Sequence, residues 1–146
     1  MSRSGYSDDW DGDNLELGRY RAQVKSAIRG QRGQAFLKAL ASDMDAMPVK
    51  ELIANELINE DGDCCTIGVW CKARGVDVSR VDPHDPEAVA SAVGIARQLA
   101  AEIEYENDEH GFVFDKEANK MRPETRAETW TRMRKWVDRH IIKETV

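Results

Sequence analysis

Two short stretches of this chain hold the side chains best suited to binding chemistry. The first is Arg29-Gly30-Gln31-Arg32-Gly33-Gln34, which stands just ahead of an apolar helical stripe. Two guanidiniums from Arg29 and Arg32, the Gln34 amide and the N–H groups of a helix start suit an anion such as a phosphate. The run lacks the Gly-Lys-Ser/Thr ending of a nucleotide-triphosphate loop and follows a helix instead of a strand, so a plain interhelical turn is the simpler expectation. The second stretch is acidic: Glu102, Glu104, Glu106, Asp108 and Glu109 crowd the end of a helical segment, with Asn107 among them. Paired carboxylates there could exchange protons or hold magnesium. Acidic side chains are unfavourable at a helix C-terminus, so a cationic partner is expected nearby, and arginines of the last helix are the simplest one. Arg29, Arg32, Gln34, Asn107, Asp108 and Glu109 are therefore the candidate ligand- or partner-binding residues, and no catalytic residue is assigned.

Other chemical readings fail on spacing. Asp9-Trp10-Asp11-Gly12-Asp13-Asn14 alternates acids like a calcium loop, but counting from Asp9 puts Asn14 where glycine is needed and Tyr20 where a bidentate glutamate is needed. Cys64, Cys65 and Cys71 form no CxxC pair, and His84 and His110 are distant in sequence, so no half zinc site is fixed. Three cysteines without an export signal read as reduced, buried thiols. Cys64 or Cys65 with His110 and Asp108 has the residue types of a thiolate, base and orienting acid, but nothing in the sequence brings them together. Neither a metal nor another cofactor is expected.

The elements that must position these residues follow from periodicity. With 146 residues, 41% hydrophobic and 33% charged, the chain suits one soluble domain. Residues 1–12 read as a flexible acidic arm and 13–146 as the globular domain. Asp13 and Glu16 resemble a capping box for a helix with Leu17, Tyr20, Val24 and Ile28 inside, ending at Gly30. Phe36, Leu37, Leu40, Met44 and Met47 mark a second helix, stopped by Pro48. The Asp61-Gly62 step between apolar runs predicts a short β-hairpin within 51–67. Gly68 to Arg74 reads as helical turns. Asp85-Pro86 starts a helix through Val89, Val93, Leu99 and Ile103, which Gly94 could divide. Residues 111–120 read as an exposed loop, and Pro123 opens a last helix with Trp130, Met133, Val137 and Ile141 inside. The predicted fold is mainly α, compact, with one small β-hairpin.

Charge is segregated. The net charge is −6, yet residues 119–146 hold 8 Lys/Arg against 4 Asp/Glu, and residues 17–42 carry six cations and no acid. The opening Met1-Ser2-Arg3-Ser4-Gly5-Tyr6-Ser7-Asp8-Asp9, the Arg32-Gly33-Gln34-Ala35-Phe36-Leu37 element and the Glu106-Asn107-Asp108-Glu109 run resemble a set of small, uncharacterised accessory proteins encoded by bacteriophages and prophages of proteobacteria. That resemblance implies work in the cytoplasm of an infected bacterium. The expected function is non-enzymatic binding of a host protein, with a component of an antiviral defence system as the candidate. The alternative is a pocket that holds or cleaves a small anionic, nucleotide-like molecule using Arg29, Arg32 and Asn107-Asp108. Nucleic acid ranks third as a partner, and no membrane association is expected, since no run approaches the roughly 18 apolar residues a span needs.

Overall fold

The computed structural model describes Arg3, residues 14–109 and residues 111–143. These residues form a mainly helical fold with one two-stranded ribbon: α1 (Asn14–Arg29), α2 (Gln31–Asp45), α3 (Thr66–Ala73), α4 (Pro86–Val93), α5 (Arg97–Glu109), β1 (Phe112–Asp115), β2 (Lys120–Pro123) and α6 (Arg126–His140). The fold class is the expected one, although the ribbon lies elsewhere than predicted. The acidic arm apart from Arg3, the Asp13–Glu16 cap, the Asp9 acidic loop and His110 fall outside the described residues.

Helix boundaries follow local chemistry. The Asp85 carboxylate accepts from the N–H groups of Glu87 and Ala88 at the start of α4, with Pro86 in the first turn. Gly94 adopts φ 74°, a left-handed conformation that ends α4 and separates it from α5. Thr125 and Glu128 form a reciprocal capping box on α6, so Pro123 ends β2 instead of opening the helix. The expected turn at Arg29–Gln34 is almost entirely helix: only Gly30 stands between α1 and α2. Gly33 lets the two helices touch, because a Cβ there would lie 1.9 Å from the Ala27 carbonyl oxygen. Gly68 does the same for α3, where a Cβ would lie 1.9 Å from the Leu57 oxygen.

The core joins Leu37, Leu40 and Met44 of α2 to Ile67 of α3, Val89 of α4, Leu99 and Ile103 of α5 and Met133 and Val137 of α6. Val24, Ile28 and Phe36 are buried as predicted, while Tyr20 and Trp130 only lean on the core.

Residues 51–67 do not form the predicted hairpin. A single bridge links Ile58 to Cys64, and the Asn59 side chain closes the turn between them by accepting from the N–H groups of Asp61 and Asp63. Leu52, Ile53 and Leu57 are all buried, and their backbone bonds run to different segments: Leu52 N–H to the Arg126 oxygen, Ile53 N–H to the Cys64 oxygen. The ribbon instead occupies 112–123, of which the part up to Lys120 reads from sequence as an exposed loop. Its register pairs Phe112 with Pro123, Val113 with Arg122, Phe114 with Met121 and Asp115 with Lys120. Glu124 N–H donates to the Gly111 oxygen, so by the alternation of antiparallel ladders the Phe112 and Phe114 backbone groups point away from β2. Pro123 then sits where no ladder donor is required.

Candidate functional site

At the C-terminal end of α5 a polar pocket is buried inside this apolar frame. Asn107 organises it: its Nδ2 donates to the Ile53 oxygen at 2.9 Å, and its Oδ1 accepts from Thr66 N at 3.1 Å and Thr66 Oγ1 at 2.7 Å. One side chain thus ties α5 to the start of α3 and to the 51–57 segment. Asp108, one residue on, accepts at Oδ1 from Asn55 N at 3.2 Å and from Asn107 Nδ2 at 2.8 Å. Asn55 takes φ 68°, which aims its N–H into the pocket.

Into this pocket projects Arg3, only 1% exposed. Its guanidinium grips Asp108 with two prongs, Nε to Oδ2 at 2.5 Å and Nη2 to Oδ1 at 3.0 Å, while Nη1 donates to Cys65 Sγ at 3.6 Å. Glu104, one helical turn before Asp108, is fully buried and places Oε2 3.3 Å from Arg3 Nε. No hydrogen bond reaches either Glu104 oxygen among the described residues. Burial, and secondarily the Asp108 charge, push the Glu104 carboxyl up to about 8 against the opposing pull of Arg3. Burial by itself would lower the Arg3 pKa, but the anionic neighbours outweigh it and raise it. The pocket thus sets one guanidinium between two buried acidic side chains, and burial favours the protonated form of Glu104.

The sequence-derived residues divide. Asn107 and Asp108 are in this pocket, and Glu109 is exposed at the end of α5. Arg29 and Arg32 are exposed at the α1–α2 junction, beside which Gln34 reaches the His140 oxygen at the end of α6, whereas Asn107 meets Arg132 about two turns earlier in that helix. No contact joins the two groups among the described residues. Gln34 is a clamp: its amide donates to the Ile28 and His140 oxygens and accepts from Ile142 N–H. Arg3 was not expected at all. A lone arginine in a polar leader carries no periodic signal, and the acidic cluster predicting a cationic partner was the one available hint.

The basic last helix packs on the acidic body. Arg134 holds Asp45 with two bonds, Arg126 meets Asp63, and Arg132 holds Glu124 while donating to the Glu106 and Asn107 carbonyls at the end of α5. Arg122 and Glu128 join β2 to α6, and Arg122 with the Thr125 N–H holds Glu128 down to about 2.

A second feature lies on the surface. One face of the ribbon presents Phe112, Phe114 and Met121, exposed by 66%, 51% and 57%. On the ribbon's opposite face a groove runs between Val113 and α6, lined by Glu124 and Glu128 as well as by Lys135 and Arg139.

All three cysteines are buried and free, and burial pushes Cys64 up to about 11 and Cys71 to about 12, far from a reactive thiolate. Among the described residues no group of three His, Cys, Asp or Glu could hold a metal, and no helix is long and apolar enough to cross a membrane. Comparison with protein-family models, curated proteins and solved structures found no match to the chain.

Proposed function

We propose that this chain is a phage accessory protein that binds a host protein, candidate among antiviral defence components, through the ribbon and the adjoining groove, without chemistry of its own. The observation that carries the reading is the cluster of three large apolar side chains standing more than half exposed on one ribbon face. Aromatic and Met side chains are the types enriched at the centres of protein interfaces. The exposed cations Lys135 and Arg139, in the groove on the ribbon's other face, would steer an acidic partner towards this end of the molecule. The outward N–H and C=O groups of Phe112 and Phe114 offer such a partner a strand edge to extend. The raised thiols and the sealed Glu104 weigh against a catalytic role for the groups best suited to one. The phage context rests on the sequence resemblance alone.

The test is affinity capture from infected bacteria, comparing the wild type with a Phe112→Ser/Phe114→Ser variant. One host protein recovered in about equal amount with the wild type and lost with the variant, at an unchanged melting temperature, is the expected result. A self-associating wild type with no host protein bound, or equal recovery by both forms, overturns the reading. Lys135→Glu/Arg139→Glu should slow association with the same partner, more so at low salt.

A further inference from the structure

The walls of the α5 pocket are assembled without Arg3. Asn107 is bonded to Ile53 and Thr66, Asp108 to Asn55, and Cys65 accepts from Gly68 N–H as the cap of α3. These contacts join three segments of the folded domain into a preformed acidic cavity. Among the described residues a single side chain fills it, from a part of the chain connected to α1 through residues 4–13. Arg3 engages both Asp108 oxygens, while Glu104, wholly buried and facing the same guanidinium, has no hydrogen bond at either oxygen among the described residues. We propose that this pocket is a guanidinium-binding site, filled in cis by Arg3 and able to take an arginine side chain from another protein chain in its place.

The chemistry selects arginine. The two parallel N–H···O bonds on Asp108 match a planar fork, which a compact ammonium cannot reproduce. The neighbouring Cys65 sulfur and the carboxyl of Glu104 complete an acidic lining around the guanidinium. Because Arg3 is tethered, its effective concentration is in the millimolar range or above, so an incoming arginine must belong to a segment that makes further contacts. This site is separate from the ribbon surface, and either can fail without the other.

The probe is N-acetylarginine amide added to the full chain carrying Arg3→Ala, with N-acetyllysine amide as control, read by melting temperature and calorimetry. At about 100 times its dissociation constant the arginine probe should raise the melting temperature of the variant by roughly 5 to 10 °C. The same concentration should move the wild type by less than about 1 °C, because the tethered residue already holds the site. Adding Asp108→Asn should abolish the response. If Arg3→Ala does not fold alone, the yield on refolding replaces the melting temperature, and recovery with the arginine probe but not the lysine probe supports the site. For exchange between chains, a synthetic peptide of residues 1–12, added in excess to the full chain, should release the Arg3 Nε–H signal of the wild type from its protected position. Equal responses to the two probes, no response to either, or an Arg3 signal that stays protected under saturating peptide overturns the proposal.

Discussion

Replacing Glu104 by Gln turns the buried acid into a group of nearly the same shape that cannot ionise. In the wild type the folded carboxyl is raised from an ordinary 4.5 to about 8, chiefly by burial. A raised carboxyl pKa means that the folded state keeps a proton the unfolded chain has lost. Its stabilising contribution is complete below about 4.5, is lost as pH rises towards 8, and changes no further above that. One proton difference is worth about 1.4 kcal/mol per pH unit, so between pH 5.5 and 7.5 the wild type should lose about 2 to 3 kcal/mol that Glu104→Gln keeps. For a chain of this length that is a difference in melting temperature of roughly 5 to 10 °C. The assay is urea unfolding of both proteins at half-unit steps from pH 5 to 9. The readout is the difference between the two curves, in which every other titrating group cancels and any constant offset from the amide drops out. A difference that does not vary with pH would refute the reasoning, because it would mean that Glu104 is ionised in the fold from the start.

Further expectations concern packing and pairing. Leu40→Ala and Leu99→Ala, both at fully buried positions, should each cost about 2 to 5 kcal/mol by denaturant unfolding, and under about 0.5 kcal/mol would show the wrong face had been assigned. Gly33→Ala should lower stability by about 1 to 3 kcal/mol, because its Cβ collides with the Ala27 carbonyl and the helices must part; a neutral effect in a thermal melt would contradict that close approach. Arg134→Glu, which breaks an exposed two-bond pair with Asp45, should cost about 1 kcal/mol or less and mostly vanish in high salt. Asn107→Ala strands Thr66 N–H and the Ile53 carbonyl inside the protein, and a loss of about 2 to 4 kcal/mol is expected from chemical denaturation.

Much of the helical frame was legible because its apolar residues recur at helical spacing and its boundaries carry specific cues, such as Asp85-Pro86 and Gly94. The ribbon was not. Its apolar residues Phe112, Phe114 and Met121 face outward, so the strands show no buried alternation to separate them from a loop. Residues 51–67 misled for the opposite reason: Leu52, Ile53 and Leu57 are apolar and buried like strand residues, but their backbone bonds are satisfied by scattered partners, including the Asn107 amide. At the pocket, Asn107 and Asp108 stood out from their place at a helix end, whereas Arg29 and Arg32 owed their prominence to glycines that serve helix packing. Cys65 was read as an inert thiol; its cap on Gly68 N–H is local, but its place beside Arg3 depends on a chain reversal that no local pattern records.

The pairing of Arg3 with Asp108 spans 105 positions, nearly the whole described chain. During synthesis at about 5 to 20 residues per second, some 5 to 20 seconds separate the two residues at the ribosome. Arg3 is made before its partner, which is added only after the segments of α1 through α4 have been produced. Arg3 therefore leaves the ribosome before its pocket exists, because Asn107 and Asp108, which build the walls, follow it by more than a hundred residues. Seating of the guanidinium is tied to the completion of α5, and until then the cation is open to any carboxylate within its reach.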